Sequence, residues 1–265
     1  MGKGRKSERW ITHYSSSHKI LLVGEGDFSF SSCLARSFGS AQNMVATSFD
    51  SKDELREKHW SSVEHLQELK RLGCTVLHDV DVHDMHEHAI LSEMKFDRIV
   101  YNFPHAGHDP MFCERHPELI RRHKELLAAF FTSSREMISE DGEIHVSHRD
   151  DEPYIRWKLE KSARKAGLTL IDKVEFFKAD YPGYHNKRGG GMESNKTFPL
   201  KDCYTFKFSL PKCSETDEGS STSDGDLQIL TKMFSQLQSG SAFGNDDQSS
   251  SLKPLSLCLD GWWWE

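Results

Sequence analysis

Several short stretches of this chain carry residue types that act together in chemistry. Gly24-x-Gly26 closes a short apolar run, and glycines there let backbone pass close to a bound ligand. The third glycine of a dinucleotide fingerprint is missing, because Ser29 holds its place, so a cofactor without phosphates is favoured over a pyrophosphate cradle. Asp50 ends a second apolar run 24 residues after Gly26, the position from which a carboxylate accepts two ribose hydroxyls. The alternative is a helix N-cap for the segment starting at Ser51. Asp79 and Asp81 follow a third run and are placed to meet an adenine amino group. Asn102-Phe103-Pro104-His105 ends a fourth. There an amide can hold an acceptor, proline stiffens the turn, and an imidazole can take up a proton near neutrality.

Two further groups admit more than one reading. Phe177, Tyr181, Pro182, Tyr184, His185, Lys187 and Arg188 precede Gly189-Gly190-Gly191, a mixture that suits stacking on a base and pairing with phosphate, or a plain loop. His148, Arg149, Tyr154 and Trp157 could belong to the same wall, although Trp157 lies off the apolar face of its expected helix. His78, His83, His86 and His88 with Asp79, Asp81 and Asp84 tempt a metal reading. No histidine pair has clean i, i+4 helical spacing, so solvated loop histidines and no metal are expected.

The elements that must position these residues alternate. Strand signals cover Lys19–Val23, Met44–Asp50, Cys74–Leu77, Phe96–Phe103 and Gly142–Ser147. Helical spacing covers Phe28–Phe38, a charged stretch with Val63, Leu66 and Leu69 on one side that stops at Gly73, and Pro117 to about Ser139. A further helix is expected over Tyr154–Ala166, with Ile155, Leu159, Ala163 and Ala166 on one face. Repeated βα units imply a parallel sheet covered by helices on both faces. The last two strands, Leu168–Phe177 and Cys203–Leu210, have no helix between them and are expected to pair antiparallel.

Composition divides the chain into a basic start (residues 1–18), a domain (residues 19–210) and a Ser, Asp and Gly-rich tail (residues 211–265). The tail holds 3 Lys and 9 acidic residues, hence −6 of the formal net charge of −7. It has too little apolar surface to offset chain entropy. Basic residues gather locally, as at Lys3, Arg5, Lys6 and Arg9, or Arg115, Arg121, Arg122 and Lys124, which allows local contact with nucleic acid or ordinary solvated faces. Six cysteines without a CxxC pair argue against structural zinc and a disulfide framework, and for a reducing compartment. No apolar run approaches spanning length, and Lys6 breaks a myristoylation start.

Tyr14 to Ser31, Phe96 to His105 and Tyr181-Pro182-Gly183-Tyr184, in that order, resemble the uridine-N3 methyltransferase family of large-subunit rRNA, which includes many plant proteins. The resemblance covers roughly residues 10–210. It implies a class I, Rossmann-like methyltransferase domain: a mostly parallel seven-stranded sheet with an antiparallel last strand. It also implies S-adenosylmethionine as methyl donor, held by Gly24, Glu25, Gly26, Asp27, Phe28, Ser29, Asp50, Asp79 and Asp81. The implied acceptor is N3 of an unpaired or flipped rRNA uridine. A uracil N3 becomes nucleophilic only as its proton leaves. Asn102 is then expected to fix a carbonyl, Pro104 to stiffen the turn and His105 to assist proton removal, with Phe103, Tyr181, Tyr184, Lys187 and Arg188 against the substrate. A monomer working in the nucleus or nucleolus is expected, with the cytoplasm as alternative. A methyltransferase of protein or small molecules, or an inactive binding module, remain as competing readings.

Overall fold

The strands assemble where apolar runs are shortest and most continuous. Ile20–Val23 is buried at all four positions, and side chains alternate between two cores: Leu21 and Val23 enter one, Ile20 and Leu22 the other. Such a strand must lie mid-sheet with helices on both faces. The computed structural model describes residues 7–188 and 194–212. The basic residues Lys3, Arg5 and Lys6, the Gly189–Gly191 run, Cys213, Cys258 and the tail from 213 onward lie outside them. The four described cysteines, Cys33, Cys74, Cys113 and Cys203, are free thiols.

A small hairpin of β1 (Trp10–Ile11) and β2 (Tyr14–Ser15) precedes β3 (Ile20–Val23). There follow α1 (Ser29–Phe38), β4 (Met44–Thr47), α2 (Lys52–Lys58), α3 (Ser62–Leu72), β5 (Thr75–Leu77), β6 (Phe96–Asn102), α4 (Pro117–Met137), β7 (Ile138–Arg149), α5 (Leu159–Lys165), β8 (Thr169–Glu175) and β9 (Cys203–Ser209). The sheet order is β5-β4-β3-β6-β7-β9-β8, with β9 antiparallel to both neighbours and the central pairs parallel. That is the class I methyltransferase arrangement, and the antiparallel ending agrees with the missing helix between the last two strands. Helices α4 and α5 cover one face, α1 and α3 the other.

Local sequence explains most boundaries. Ser51 and Glu54 form a capping box at α2, His116 accepts the Glu118 amide in front of Pro117 at α4, and Gly73 ends α3 at φ +89°. Two expectations need correction. The charged stretch splits into α2 and α3. Val63 is 41% exposed while Leu69 is buried, because six residues at helical pitch put the two about 120° apart. The expected helix over Tyr154–Ala166 breaks at Lys158, which takes a left-handed conformation (φ +57°) between a 3₁₀ turn, Tyr154–Trp157, and α5. The break rotates the preceding turn, so Trp157 is 1% exposed and Ile155 is 40% exposed, the reverse of the helical pattern.

Candidate active site

At the carboxyl edge of β3, β4, β6 and β7 the chain encloses a cavity of about 650 Å³. In open α/β sheets this edge, where the strand order reverses between β3 and β6, is where ligands sit.

One end is built by the turn after β3. Gly24 has φ +63°, and a Cβ there would stand 2.5 Å from Tyr101 Cε2, so only glycine fits. Glu25 N donates to the Thr47 carbonyl at 2.8 Å, which ties the turn to β4. Asp27 accepts the Ser29 amide (3.0 Å) and the Ser61 hydroxyl (3.2 Å). The Ser29 hydroxyl accepts the His185 amide at 2.9 Å, so the excursion between β8 and β9 closes against α1. Glu25 is buried, and desolvation pushes its pKa up to about 7 although the Ser31 amide donates to it. Asp50 pairs with Lys58 Nζ at 2.5 Å, and Asp81 accepts both the backbone and the ring N–H of His83. Four carboxylates, Glu25, Asp27, Asp50 and Asp81, line this end. Such a set suits a ligand that brings hydroxyls, an amine and positive charge, and opposes one that brings phosphates.

The other end is built from β6, β7 and the segments after them. Asn102 lies opposite Ser147, whose hydroxyl donates to its Oδ1 at 2.7 Å. That leaves the buried Nδ2 as a donor with no hydrogen-bond partner among the described residues. Phe103 has φ +50° and meets Phe176 and Phe198 edge-on, and Pro104 is buried. His105 accepts the Gly107 amide on Nδ1 (3.1 Å) and donates from Nε2 to Glu114 Oε1 (3.0 Å). His123 accepts the Ala106 amide on Nδ1, brings Nε2 to 3.4 Å from Glu114 Oε2, and stacks on Trp157 with ring centroids 3.7 Å apart. Burial lowers the pKa of His123 to about 4, against the Glu114 contact. Burial would raise that of Glu114, but the hydrogen bond from His105 and the neighbouring His123 ring hold it well below the carboxylate range. His148 donates Nδ1–H to the Arg149 carbonyl, and burial lowers its pKa to about 4.

His105, Glu114 and His123 bring ligand-type atoms within 4.8 Å of one another. Their tautomers oppose a metal, however: amide N–H groups occupy both Nδ1 lone pairs, so each Nε2 carries its proton toward the carboxylate. The histidines expected as solvated loop residues go separate ways. His83 bonds Asp81, His86 bonds Ser133, and His78 packs on Phe28.

Of the residues singled out in the sequence, the cavity lining unites Gly24, Glu25, Gly26, Asp27, Ser29, Asp50 and Asp81 with Asn102, Phe103, Pro104 and His105. Tyr184, Lys187 and Arg188 line it as well, as do His148, Arg149, Tyr154 and Trp157. Of the other cofactor and base-binding candidates, His185 lines it too, whereas Phe28, Asp79, Phe177, Tyr181 and Pro182 do not. Phe28 takes a left-handed conformation (φ +59°) and sinks fully into the core. Asp79, also left-handed (φ +57°), is turned to solvent between the inward Leu77 and Val80 sides of the chain. Tyr181 is 3% exposed, stacked on Phe176 and bonded to the Thr12 hydroxyl, so it is core and not a stacking platform. Glu114 and His123 were missed. The one signal for them was four histidines, at 105, 108, 116 and 123, crowded around a carboxylate.

The profile of a family described as rRNA (uridine-N3-)-methyltransferase BTM5-like matches residues 21–188. An uncharacterized Arabidopsis thaliana protein is 50% identical over 203 residues, 76% of this chain and 97% of that one. The heavy metal-associated isoprenylated plant protein 41 of the same species is 46% identical, over 78% of this chain and 40% of its own length. A 25S rRNA uridine-N3 methyltransferase of Saccharomyces cerevisiae is 28% identical over 72% of each chain. With its strand order and glycine turn in place over the matched region, the chain belongs to the BMT5-like family.

Proposed function

We propose that this chain transfers the methyl group of S-adenosylmethionine to N3 of a uridine in large-subunit rRNA. The observation that carries the reading is the division of one cavity into an end of four carboxylates and an end whose buried Asn102 amide is a donor. The family description and the yeast relative's activity support it. Glu25 and Asp27 would hold the amine of the cofactor, Asp50 the ribose hydroxyls and Asp81 the adenine amino group. When bound, that cofactor supplies an electrophilic methyl on a sulfonium. Asn102 Nδ2 donates to a uracil carbonyl, Phe103 and Tyr184 wall the base, and His105 takes up the N3 proton. Lys187 and Arg188, which line the cavity, meet the RNA backbone. Positioning supplies much of the acceleration, since the transfer is an in-line displacement. The working unit is the monomeric domain of residues 19–210, and the nucleus, where large-subunit rRNA is made, is its place of action.

The test is direct. Purified chain, isotopically labelled S-adenosylmethionine and rRNA lacking the modification are incubated, and nucleosides are resolved by mass spectrometry. Label in N3-methyluridine is expected; label in another nucleoside, or in protein, overturns the assignment.

A further inference from the structure

We propose that Glu114 is the carboxylate that makes His105 a base at Nδ1, forming with it a base-and-orienter pair at the acceptor end of the cavity. The inference rests on the uridine reading above.

The argument is one of proton placement. An amide nitrogen can only donate, so the contact from Gly107 N at 3.1 Å requires Nδ1 of His105 to be without a proton. The proton is then on Nε2, which donates to Glu114 Oε1 at 3.0 Å. Both ring nitrogens are thereby assigned, and the one that can accept a proton is Nδ1. The carboxylate is itself held in place: His123 Nε2 lies 3.4 Å from its other oxygen, and His108 Nδ1 stands 3.9 Å from Oε1. His123 is anchored through the Ala106 amide and its stack on Trp157, so its ring keeps a fixed place beside the carboxylate. A carboxylate that fixes the tautomer of an imidazole and faces the imidazolium it becomes is the logic of a nucleophile's base and its orienting group.

The step balances. The N3–H bond of the uracil breaks, its proton passes to His105 Nδ1, and its electron pair forms the new bond to the methyl carbon as the carbon–sulfur pair leaves on sulfur. Gly107 must turn its N–H aside. It has φ +91°, and among the described residues nothing lies within 4 Å of where a Cβ would stand, so the backbone has room. The imidazolium then faces ionised Glu114 and later loses its proton to water. Among the described residues, Glu114, His108, His123 and Trp157 pack around the ring.

Two measurements test the pair. In cofactor-free protein with ¹⁵N-labelled histidine, the ring correlations of His105 should report a bare Nδ1 and a protonated Nε2. Nδ1–H with a bare Nε2 would overturn the proposal, as would a stoichiometric zinc ion retained through dialysis and lost in Glu114→Gln, because a metal needs Nε2 bare. In methylation assays Glu114→Gln keeps the shape but not the charge. It should lower kcat roughly 10- to 100-fold, with RNA KM and cofactor affinity unchanged, in assays run below the variant's own, lowered Tm. Combined with His105→Ala it should cost no more than His105→Ala alone. Wild-type kcat in Glu114→Gln, or losses that multiply, would refute the coupling. A wild-type protein that methylates no uridine sinks the uridine reading instead, and the tautomer still decides the pair.

Discussion

The two ends of the cavity are made differently. The carboxylate end comes from three strand termini whose chemistry lies within a few residues of each strand: Gly24 to Asp27 after β3, Asp50 after β4, Asp81 after β5. The imidazole end draws on β6, the loop carrying Glu114, helix α4, β7 and the 3₁₀ turn before α5, and its members meet through Glu114 and Trp157. Local backbone fixes the first end. Side-chain packing between distant segments fixes the second. The two should therefore fail separately, and three substitutions test that.

The largest effect is expected at the second end. Trp157 is fully buried against His123, His148 and Tyr154, so Trp157→Ala should cost about 3–5 kcal/mol in urea unfolding. Affinity for the cofactor in the cold, folded protein should be unchanged; an equal loss there would make the two ends one unit.

Glu25 gives the opposite sign at the first end. Its folded pKa near 7 lies above the ordinary 4.5, so between those values the folded protein keeps a proton that the unfolded chain has lost. Stability from this group is present below about pH 4.5 and falls as pH rises through 7. Glu25→Gln should accordingly be more stable than wild type by about 3 kcal/mol at pH 8, by thermal unfolding, while binding the cofactor less well. A gap between variant and wild type that does not widen from pH 4.5 to 7 would show that burial is not what sets this carboxyl.

The smallest is Gly24→Ala. The added methyl meets the Tyr101 ring from a left-handed backbone, and a cost of about 1–3 kcal/mol is expected, with weaker cofactor binding but an intact His105 tautomer. A disturbed tautomer would sharpen the comparison into a coupling between the ends, through Tyr101.

This contrast also explains what the sequence could tell. Gly24, Gly26, Asp50 and the strands before them were legible because turn chemistry and short apolar runs are local. The antiparallel ending of the sheet followed from the missing helix between β8 and β9. Asp79 and Asp81 could not be separated in advance, since the left-handed turn at Asp79, just before buried Val80, decides which carboxylate faces in. Trp157 looked solvent-facing on a regular helix, and only the break at Lys158 turns it inward. Tyr181 had the composition of a base platform, yet Phe176 and Thr12 claim both its face and its hydroxyl. Glu114 was announced only by histidines scattered over residues 105 to 123, with no fixed spacing, because its partners come from the loop and from α4.

The central claim is that the carboxylate end holds S-adenosylmethionine. Calorimetry of the purified chain with that compound and with its demethylated product tests it most directly: one saturable site is expected for each, lost in Asp50→Ala without loss of fold. No heat from either compound, or undiminished binding after Asp50→Ala, would contradict it.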